Sequence, residues 1–459
     1  MSLWDWIFGT TPAPTPEPGM PAMIPESMVS SPVLGLKGTL RDFQHQGVMY
    51  AANKKSVFIG DDMGTGKSIQ ALATIEHLGA YPALIICPSF LKYNWEAEAG
   101  AWVDKTVQVI SGTKKIAFTA DIIVINYDIL RSHSKNLHNH GFKSIVSDES
   151  HLIKNVSSQR SNISRSIARS IPVRLCLSGT PVINHPDELK AQLMFLDRFT
   201  EIGNRPGGFS GLCANPEELH RVLKETCFIR RRKSDVLPEL PAKQRTFVPL
   251  EITNRKQYEM AMVDVVGWVQ HNTADTGEFK LKAKARFDDL KKLCAIGKLN
   301  ACEDWIRNTI AQEPLVLFAY HVDIQDELCR RFPEALHIMG SDSDKARFET
   351  VKAFQAGKSN LIICSIKAAG VGLTLTRAKS VAFLELGWTP AEMWQAEDRL
   401  ARIGQTRGVN CYYLLGRQTV DQRIMSLLQR KENVVSRATD GQATQSILDS
   451  LIQELGRAA

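Results

Sequence analysis

The chain has no Cys-x-x-Cys pair, and its nine cysteines are an odd number. That pattern excludes a disulfide framework and the usual zinc spacings. Cys87, Cys176 and Cys364 lie inside apolar runs, where they read as buried strand residues. No stretch approaches the roughly 18 consecutive apolar residues of a membrane span. No Lys or Arg precedes Lys37, so the N-terminus lacks the basic head of a secretory signal. No internal repeat of fixed period is visible. Together these absences predict a soluble intracellular protein with no membrane partner.

What is present is ordinary in bulk and uneven in place. Hydrophobic residues make up 44% and charged residues 23% of the 459 residues, enough for two or three globular domains. The net charge is +7, but residues 1–36 hold Asp5, Glu17 and Glu26 and no basic residue, so the remainder carries +10. A basic body suits a polyanion such as nucleic acid, although many basic proteins bind none.

Residues 1–37 hold seven of the 20 prolines and read as an extended, flexible tail. Its tip carries Trp4, Trp6 and Phe8, which either hook a partner protein or fold back onto the body. From 38 to 245, short apolar runs recur at Ser56–Ile59, Ala83–Cys87, Val107–Ile110, Asp121–Asn126, Ser144–Ser147 and Val173–Leu177, with helical stretches between. Residues 186–245 read as mainly helical and include the basic run Arg230–Lys233. Residues 246–297 read as a helical bridge studded with Lys280, Lys282, Lys284, Arg286, Lys291 and Lys292. A second series follows over 298–440, with strands expected at Leu315–Ala319, Ala335–Met339, Leu361–Cys364, Val381–Leu384 and Val409–Leu415, and a terminal helix over 441–459. Such alternation predicts an α/β fold of two lobes, each a parallel sheet, facing across a cleft.

The chemistry begins where the first strand meets Asp61, Asp62, Met63, Gly64, Thr65, Gly66, Lys67 and Ser68. Gly64 and Gly66 let backbone N–H groups turn toward a phosphate, and the following helix adds its positive end. Lys67 reaches the β- and γ-phosphates of ATP, and Ser68 ligates Mg²⁺. Asp61 stands where the full phosphate-loop pattern has its first glycine. Strand Ser144–Ser147 ends in Asp148 and Glu149: Asp148 is the metal-side acid, and Glu149 orients and deprotonates the attacking water. Ser178-Gly179-Thr180-Pro181, after the next strand, can relay changes at the phosphate site to the other lobe.

Thr389, Pro390 and Glu392 form a helix-start box. The spacing predicts a helix ending before Gly404, with Gln395, Arg399 and Arg402 on one face, either as arginine fingers for the γ-phosphoryl group or as ordinary surface ion pairs.

Taken together these residues resemble the Swi/Snf-type ATPase family of helicase superfamily 2, over about 38–435. Leu40–Gln44 with Gly47 is similar to the adenine-reading Q motif, which implies Arg41 and Gln44 as nucleotide contacts. Asp61–Ser68 resembles motif I, Ile86–Ser89 with Asn94 and Trp95 motif Ia, and Ile125–Tyr127 motif Ib. Asp148–His151 with Lys154 and Asn155 resembles motif II, Ser178–Pro181 motif III, Ala368–Thr376 motif V, and Gln395–Gln405 motif VI. The resemblance implies RecA-like lobes, ATP contacts at Gly370, Gly372 and Gln395, and DNA contacts at Pro88, Ser89, Asn126, Tyr127, Lys154, Asn155 and Thr374.

Asp-Glu-Ser-His and Glu385-Leu386 before Trp388 are similar to the annealing-helicase branch. The family's Trp-Asn-Pro is Trp388-Thr389-Pro390 here, and its motif V asparagine is Thr374; the branch's N-terminal substrate-recognition domain is not seen. The resemblance implies a Mg²⁺- and ATP-dependent translocase on double-stranded or forked DNA, with annealing or fork remodelling in repair or replication. The alternative is a motor subunit that recruits a nuclease or replication partner through its aromatic tip. The missing chromatin-reading domains suggest a bacterial or viral cytoplasm, or a nucleus if the source is eukaryotic.

Overall fold

The computed structural model describes residues 35–179, 186–205, 208–214, 216–239, 243–272, 277–366, 373–438 and 447–456. The aromatic tip, Thr180, Pro181, Gly370 and Gly372 lie outside them. Among the described residues no helix is long and apolar enough to cross a membrane.

Two parallel sheets organise the chain. The first contains β1 (Ser56–Ile59), β2 (Ala83–Cys87), β3 (Val107–Val109), β4 (Ile122–Asn126), β5 (Ser144–Asp148), β6 (Val173–Leu177) and β7 (Phe228–Ile229), in the order β3-β4-β2-β5-β6-β1-β7. The second contains β8 (Lys243–Leu250), β9 (Leu315–Ala319), β10 (Leu336–Ile338), β11 (Leu361–Ser365), β12 (Ser380–Phe383) and β13 (Val409–Gly416), in the order β10-β11-β9-β12-β13-β8.

The apolar runs are continuous because both faces of each sheet are covered. Leu84 and Ile86 of β2 enter one core, and Ala83, Ile85 and Cys87 enter another on the opposite face. Val316 and Phe318 of β9 are likewise separated from Leu315, Leu317 and Ala319.

Residues 186–245 are mainly helical, as expected, and Phe228–Ile229 within them pairs with β1 and closes the first sheet's edge. One expectation is corrected. Lys243–Leu250, which straddles the expected start of the bridge, is an eight-residue edge strand paired with β13. Its Pro249 is tolerated because an edge strand leaves one side without ladder partners. Helices Arg255–His271 and Gly277–Ile310 follow, and their Tyr258, Val265, Phe287 and Leu290 pack into the second lobe's core. Most of their basic residues are paired: Lys280 with Asp449, Lys282 with Glu278, Lys284 with Asp288, and Lys292 with Asp323.

Candidate nucleotide site and interlobe cleft

Apart from Arg41 and Gln44, which precede β1, the first-lobe groups of interest lie beyond the C-terminal ends of parallel strands, the edge where open α/β sheets bind ligands. Residues 60–66 turn from β1 into helix Lys67–Leu78, with Gly66 as its N-cap at φ +81. A Cβ on Gly66 would stand 2.4 Å from Gln44 Nε2, so a side chain here displaces Gln44 as well as straining the backbone. Gln44 Nε2 donates to the Thr65 carbonyl at 3.0 Å and its Oε1 accepts from the Arg41 N–H at 3.0 Å, which ties the first helix to the loop. The Arg41 guanidinium itself pairs with Glu239. Lys67 Nζ donates to the Asp61 and Asp62 carbonyls at 2.9 and 3.0 Å, curled over the loop. Met63 lies under Gly179, whose Cβ position is 2.6 Å from Met63 Cγ and 3.5 Å from Lys67 Nζ.

Asp61 faces inward. It is fully buried and takes hydrogen bonds from the Arg231 backbone and Nε at 3.0 Å, from Arg231 Nη2 at 2.5 Å and from Gln70 Nε2 at 3.0 Å. Asp62 is held by Arg230 Nη2 at 3.4 Å and by the Lys233 N–H at 2.9 Å. The run Arg230–Lys233 therefore braces the phosphate loop.

At the end of β5, Trp95 Nε1 donates to Asp148 Oδ2 at 2.9 Å, and the Glu149 N–H donates to Asp148 Oδ1 at 2.9 Å. Glu149 sits at φ +49, ψ +52, a left-handed conformation costing about 1–3 kcal/mol for a side-chain-bearing residue. His151 Nδ1 lies 3.3 Å from Glu149 Oε2 and 3.2 Å from Ser178 Oγ. Glu149, His151 and Ser178 thus form a short polar chain from β5 to β6. Burial and the adjacent Glu149 charge push the Asp148 carboxyl up. Burial opposes ionisation of Glu149 too, but the facing His151, Lys67 and Arg399 hold its carboxyl below the usual range. The pair is therefore split: Glu149 is the ionised acid, and Asp148 gains most from an incoming cation.

The second lobe enters through residues 389–402. Thr389 and Glu392 make the capping box expected from sequence. The helix, however, spans only Pro390–Glu397. Gln395 lies within it and is partly exposed, whereas Arg399 and Arg402 follow in turns, so one helix face does not carry all three. The stop coincides with Glu397 and Asp398, which are anchored by side chains from other elements. Glu397 is bound by Arg245, Lys243 and Tyr413, and Asp398 by Lys243 and Lys233.

Arg399 is buried. Burial and the neighbouring Arg402 push its guanidinium down to about 9, despite Glu149, Asp398 and Asp148. Arg402 Nε donates to the Asp398 carbonyl at 3.0 Å, Nη1 donates to Thr374 Oγ1 at 3.2 Å, and its Cγ is 2.9 Å from a Cβ position on Gly64. Burial lowers Arg402 and Lys67 as well. Lys67 and Arg402, from different lobes, thus meet beside one glycine loop.

The residues proposed for nucleic-acid contact are dispersed. Pro88 is buried at the end of β2, and Ser89 Oγ donates to Asp344 Oδ1 of the second lobe at 3.3 Å. Asn126 is buried beside Asp128. Tyr127 is buried too, with its hydroxyl donating to the Asp148 carbonyl at 2.6 Å. It supports the acid strand rather than facing outward. Lys154 pairs with Glu188 at 2.7 Å, and Asn155 accepts from the Ser157 N–H at 3.0 Å. Thr374 is exposed and holds Arg402.

Sequence reasoning missed Trp95 as a support of Asp148, and Asp344 across the cleft. Neither spacing nor periodicity signals a contact between elements 53 or 255 residues apart.

The model of the SNF2-related domain matches residues 43–295, and that of the helicase conserved C-terminal domain matches residues 297–404. A Xenopus laevis relative, the SWI/SNF-related matrix-associated actin-dependent regulator of chromatin subfamily A-like protein 1, is 32% identical over 88% of this chain and 44% of its own length. Homo sapiens DNA annealing helicase and endonuclease ZRANB3 is 30% identical over 88% of this chain and 41% of its own. The chain spans under half the length of these relatives. The Sulfolobus solfataricus SWI2/SNF2 ATPase core in complex with double-stranded DNA aligns over 88% of this chain and 94% of that one, at 24% identity and a TM-score of 0.42.

Proposed function

The chain belongs to the SNF2-related ATPase family, and on that premise we propose that it hydrolyses Mg·ATP and couples turnover to movement along double-stranded DNA. The meeting of Lys67 and Arg402 at the glycine loop, with Glu149 close to both charges, carries this reading. Desolvated cations gain most from a polyanion such as a triphosphate.

Mg²⁺ would be held by Ser68 and Asp148. Two hard oxygen donors fit an ion that keeps several waters and shares substrate phosphates. Among the described residues no three His, Cys, Asp or Glu side chains form a closed cage. When bound, the ion neutralises charge on the β- and γ-phosphates.

The chain's own groups do the remainder. Gln44 and Arg41 present the adenine side. Lys67 leaves the loop carbonyls for the phosphates. Glu149, held in place by its backbone and by His151, takes the proton of the attacking water. Arg399 and Arg402 stabilise charge on the transferring phosphoryl group only while the lobes are together, so hydrolysis and lobe closure are one event. DNA is held by its backbone at Ser89, Lys154, Asn155 and Thr374, with little sequence preference. Strand annealing, the activity in the Homo sapiens relative's name, is the accompanying activity.

The deciding experiment compares ATPase stimulation by duplex DNA, forked DNA and RNA between about 50 and 200 mM salt. Duplex and forked DNA stimulate strongly, and the effect falls steeply with salt. Lys67→Ala and Glu149→Gln abolish turnover. Arg402→Ala lowers kcat by about 10³-fold or more while nucleotide binding persists. Normal turnover in any of the three variants refutes the assigned roles, and equal stimulation by RNA refutes the substrate.

A further inference from the structure

A cavity of about 430 Å³ opens on the first lobe, lined by Arg165, Arg169 and Arg174, by Asp197, and by an apolar wall that includes Met194 and Phe199. Pockets for small ligands run from roughly 300 to 1,000 Å³. The cavity is separate from the nucleotide site. Arg174 pairs in register with Ser56 at the start of β1, whereas the phosphate loop follows that strand's far end, roughly 10 Å along. Arg165 and Arg169 stand four residues apart at the end of helix Gln159–Ala168, a spacing at which like charges repel. Arg174 interrupts the otherwise apolar strand Val173–Leu177, and its side chain is only 11% exposed. One cation suits the negative end of a helix, but three exceed that need. Among the described residues the one acid within ion-pair reach of the three is Asp197, 3.3 Å from Arg174 Nη1. Arg165 donates to the Val156 carbonyl at 2.7 Å and to Met194 Sδ at 2.9 Å, and Arg174 to the Ile171 and Arg169 carbonyls at 2.7 and 3.0 Å. Those bonds fix two guanidiniums in place without cancelling their charge. Asp197 follows helix Leu189–Phe195 at φ +59, the left-handed position where helix ends favour glycine.

We infer that this cavity binds a nucleotide carrying a terminal phosphate, free or at the end of a nucleic-acid strand. Three arginines and one aspartate leave an excess of two positive charges. A phosphate monoester carries about −1.5 to −2 at pH 7 and matches that excess. A carboxylate or an internal phosphodiester brings a single charge and leaves the cavity cationic. Guanidinium forks also suit phosphate oxygens bidentately. The wall of Met194, Phe195 and Phe199 takes the organic part, which inorganic phosphate lacks. Asp197 holds Arg174 until the phosphate displaces it. The choice of a nucleotide over another organic phosphate rests on the DNA reading above. Such a subsite gives a protein that grips the DNA backbone a preference for strand ends over internal duplex.

The test uses the full chain and a 3′-labelled DNA whose single-stranded 5′ end carries either a phosphate or a hydroxyl. Binding is read by fluorescence anisotropy, with Mg·ADP saturating the nucleotide loop. The ratio of the two dissociation constants isolates the terminal phosphate from every other DNA contact. Wild type is expected to favour the phosphate by about 10-fold, the worth of one charge-assisted hydrogen bond. Arg169→Met, at an exposed position, removes most of that preference, whereas Lys358→Met, an exposed lysine of the second lobe, leaves it. Asp197→Gly, which suits the left-handed backbone, enlarges it. Millimolar AMP abolishes the preference where free nucleotides share the cavity and leaves it where a strand end is required, so this arm names the source. Competition by a phosphotyrosine peptide but not by AMP overturns the nucleotide assignment in favour of a phosphoprotein. A wild-type ratio near one, a ratio unchanged in Arg169→Met, or one that fails to rise in Asp197→Gly overturns the inference and leaves the motor reading standing. A chain that binds neither DNA overturns both.

Discussion

Arg231 offers the sharpest separation between a brace and a nucleic-acid contact. Arg231→Met keeps most of the apolar stem, which lies beneath Phe43 with the guanidinium 5.2 Å from the ring. It removes the donors at 3.0 and 2.5 Å to Asp61, the 2.7 Å bond to Gln70 and the bond to the Phe43 carbonyl. Asp61 remains fully buried, with its backbone donor and Gln70 but without its guanidinium partner. Removing one partner of a buried ion pair costs about 3–5 kcal/mol. In a lobe of roughly 200 residues, each kcal/mol moves Tm by about 2–4 °C, so the expected fall is about 6–20 °C. Thermal melting followed by circular dichroism reads it. Adding Asp61→Asn removes the stranded charge and recovers part of the loss, a coupling of about 1–3 kcal/mol. DNA affinity measured against salt supplies the control. A phosphate contact would lower the salt slope by about one and leave Tm alone. A melting point within about 2 °C of wild type together with that lower slope would refute the brace.

Gly179→Ala drives a methyl to within 2.6 Å of Met63 and 3.5 Å of Lys67 Nζ. Overpacking of this kind costs about 1–3 kcal/mol, read as roughly 10–100-fold weaker nucleotide binding with the fold retained. Lys291 is buried between Tyr320 and Trp388, and burial holds its ammonium down to about 8 from 10.5. The folded state therefore binds fewer protons than the unfolded state between these values, so stability rises as pH climbs from about 8 to 10.5. Lys291→Met is expected to be more stable than wild type at pH 7 by a few kcal/mol, with the difference closing by about pH 10 in urea titrations. A constant difference across that range would refute the assignment. Glu385 anchors the same region by accepting from the Tyr320 and His321 N–H groups at 2.8 and 2.9 Å. Glu385→Ala is expected to cost about 1–3 kcal/mol of stability by chemical denaturation, through two part-buried donors left unpaired.

Much of the fold was legible because strands buried on both faces write themselves as unbroken apolar runs. The runs at 56–59, 83–87, 173–177 and 315–319 match observed strands residue for residue. Phe228–Ile229 escaped because two residues carry no periodicity, and Lys243–Leu250 because its first three residues are polar and its seventh is proline. The glycine loop, Gln44 and the Thr389 box were readable since each acts on its near neighbours. Arg399 and Arg402 were assigned to a helix that ends at Glu397, because anchors on Glu397 and Asp398 from Lys233, Lys243 and Arg245 are remote in sequence. The burial of Tyr127 and the inward turn of Asp61 are likewise facts of three-dimensional neighbourhood, which a one-dimensional pattern does not encode.

Asp344 bridges the cleft, with Ser89 at 3.3 Å and Lys92 Nζ at 3.8 Å. Because both sides belong to one chain, this carboxylate faces Ser89 at an effective concentration of about millimolar. Any anion arriving at Ser89 competes with an internal rival that never diffuses away. A single phosphate is at a disadvantage in that contest, whereas a polymer presenting phosphates in series is tethered too and meets the rival on equal terms. If Ser89 takes a DNA phosphate as proposed, the contact acts as a valency filter: it discounts lone anions and leaves repeated ones nearly untaxed.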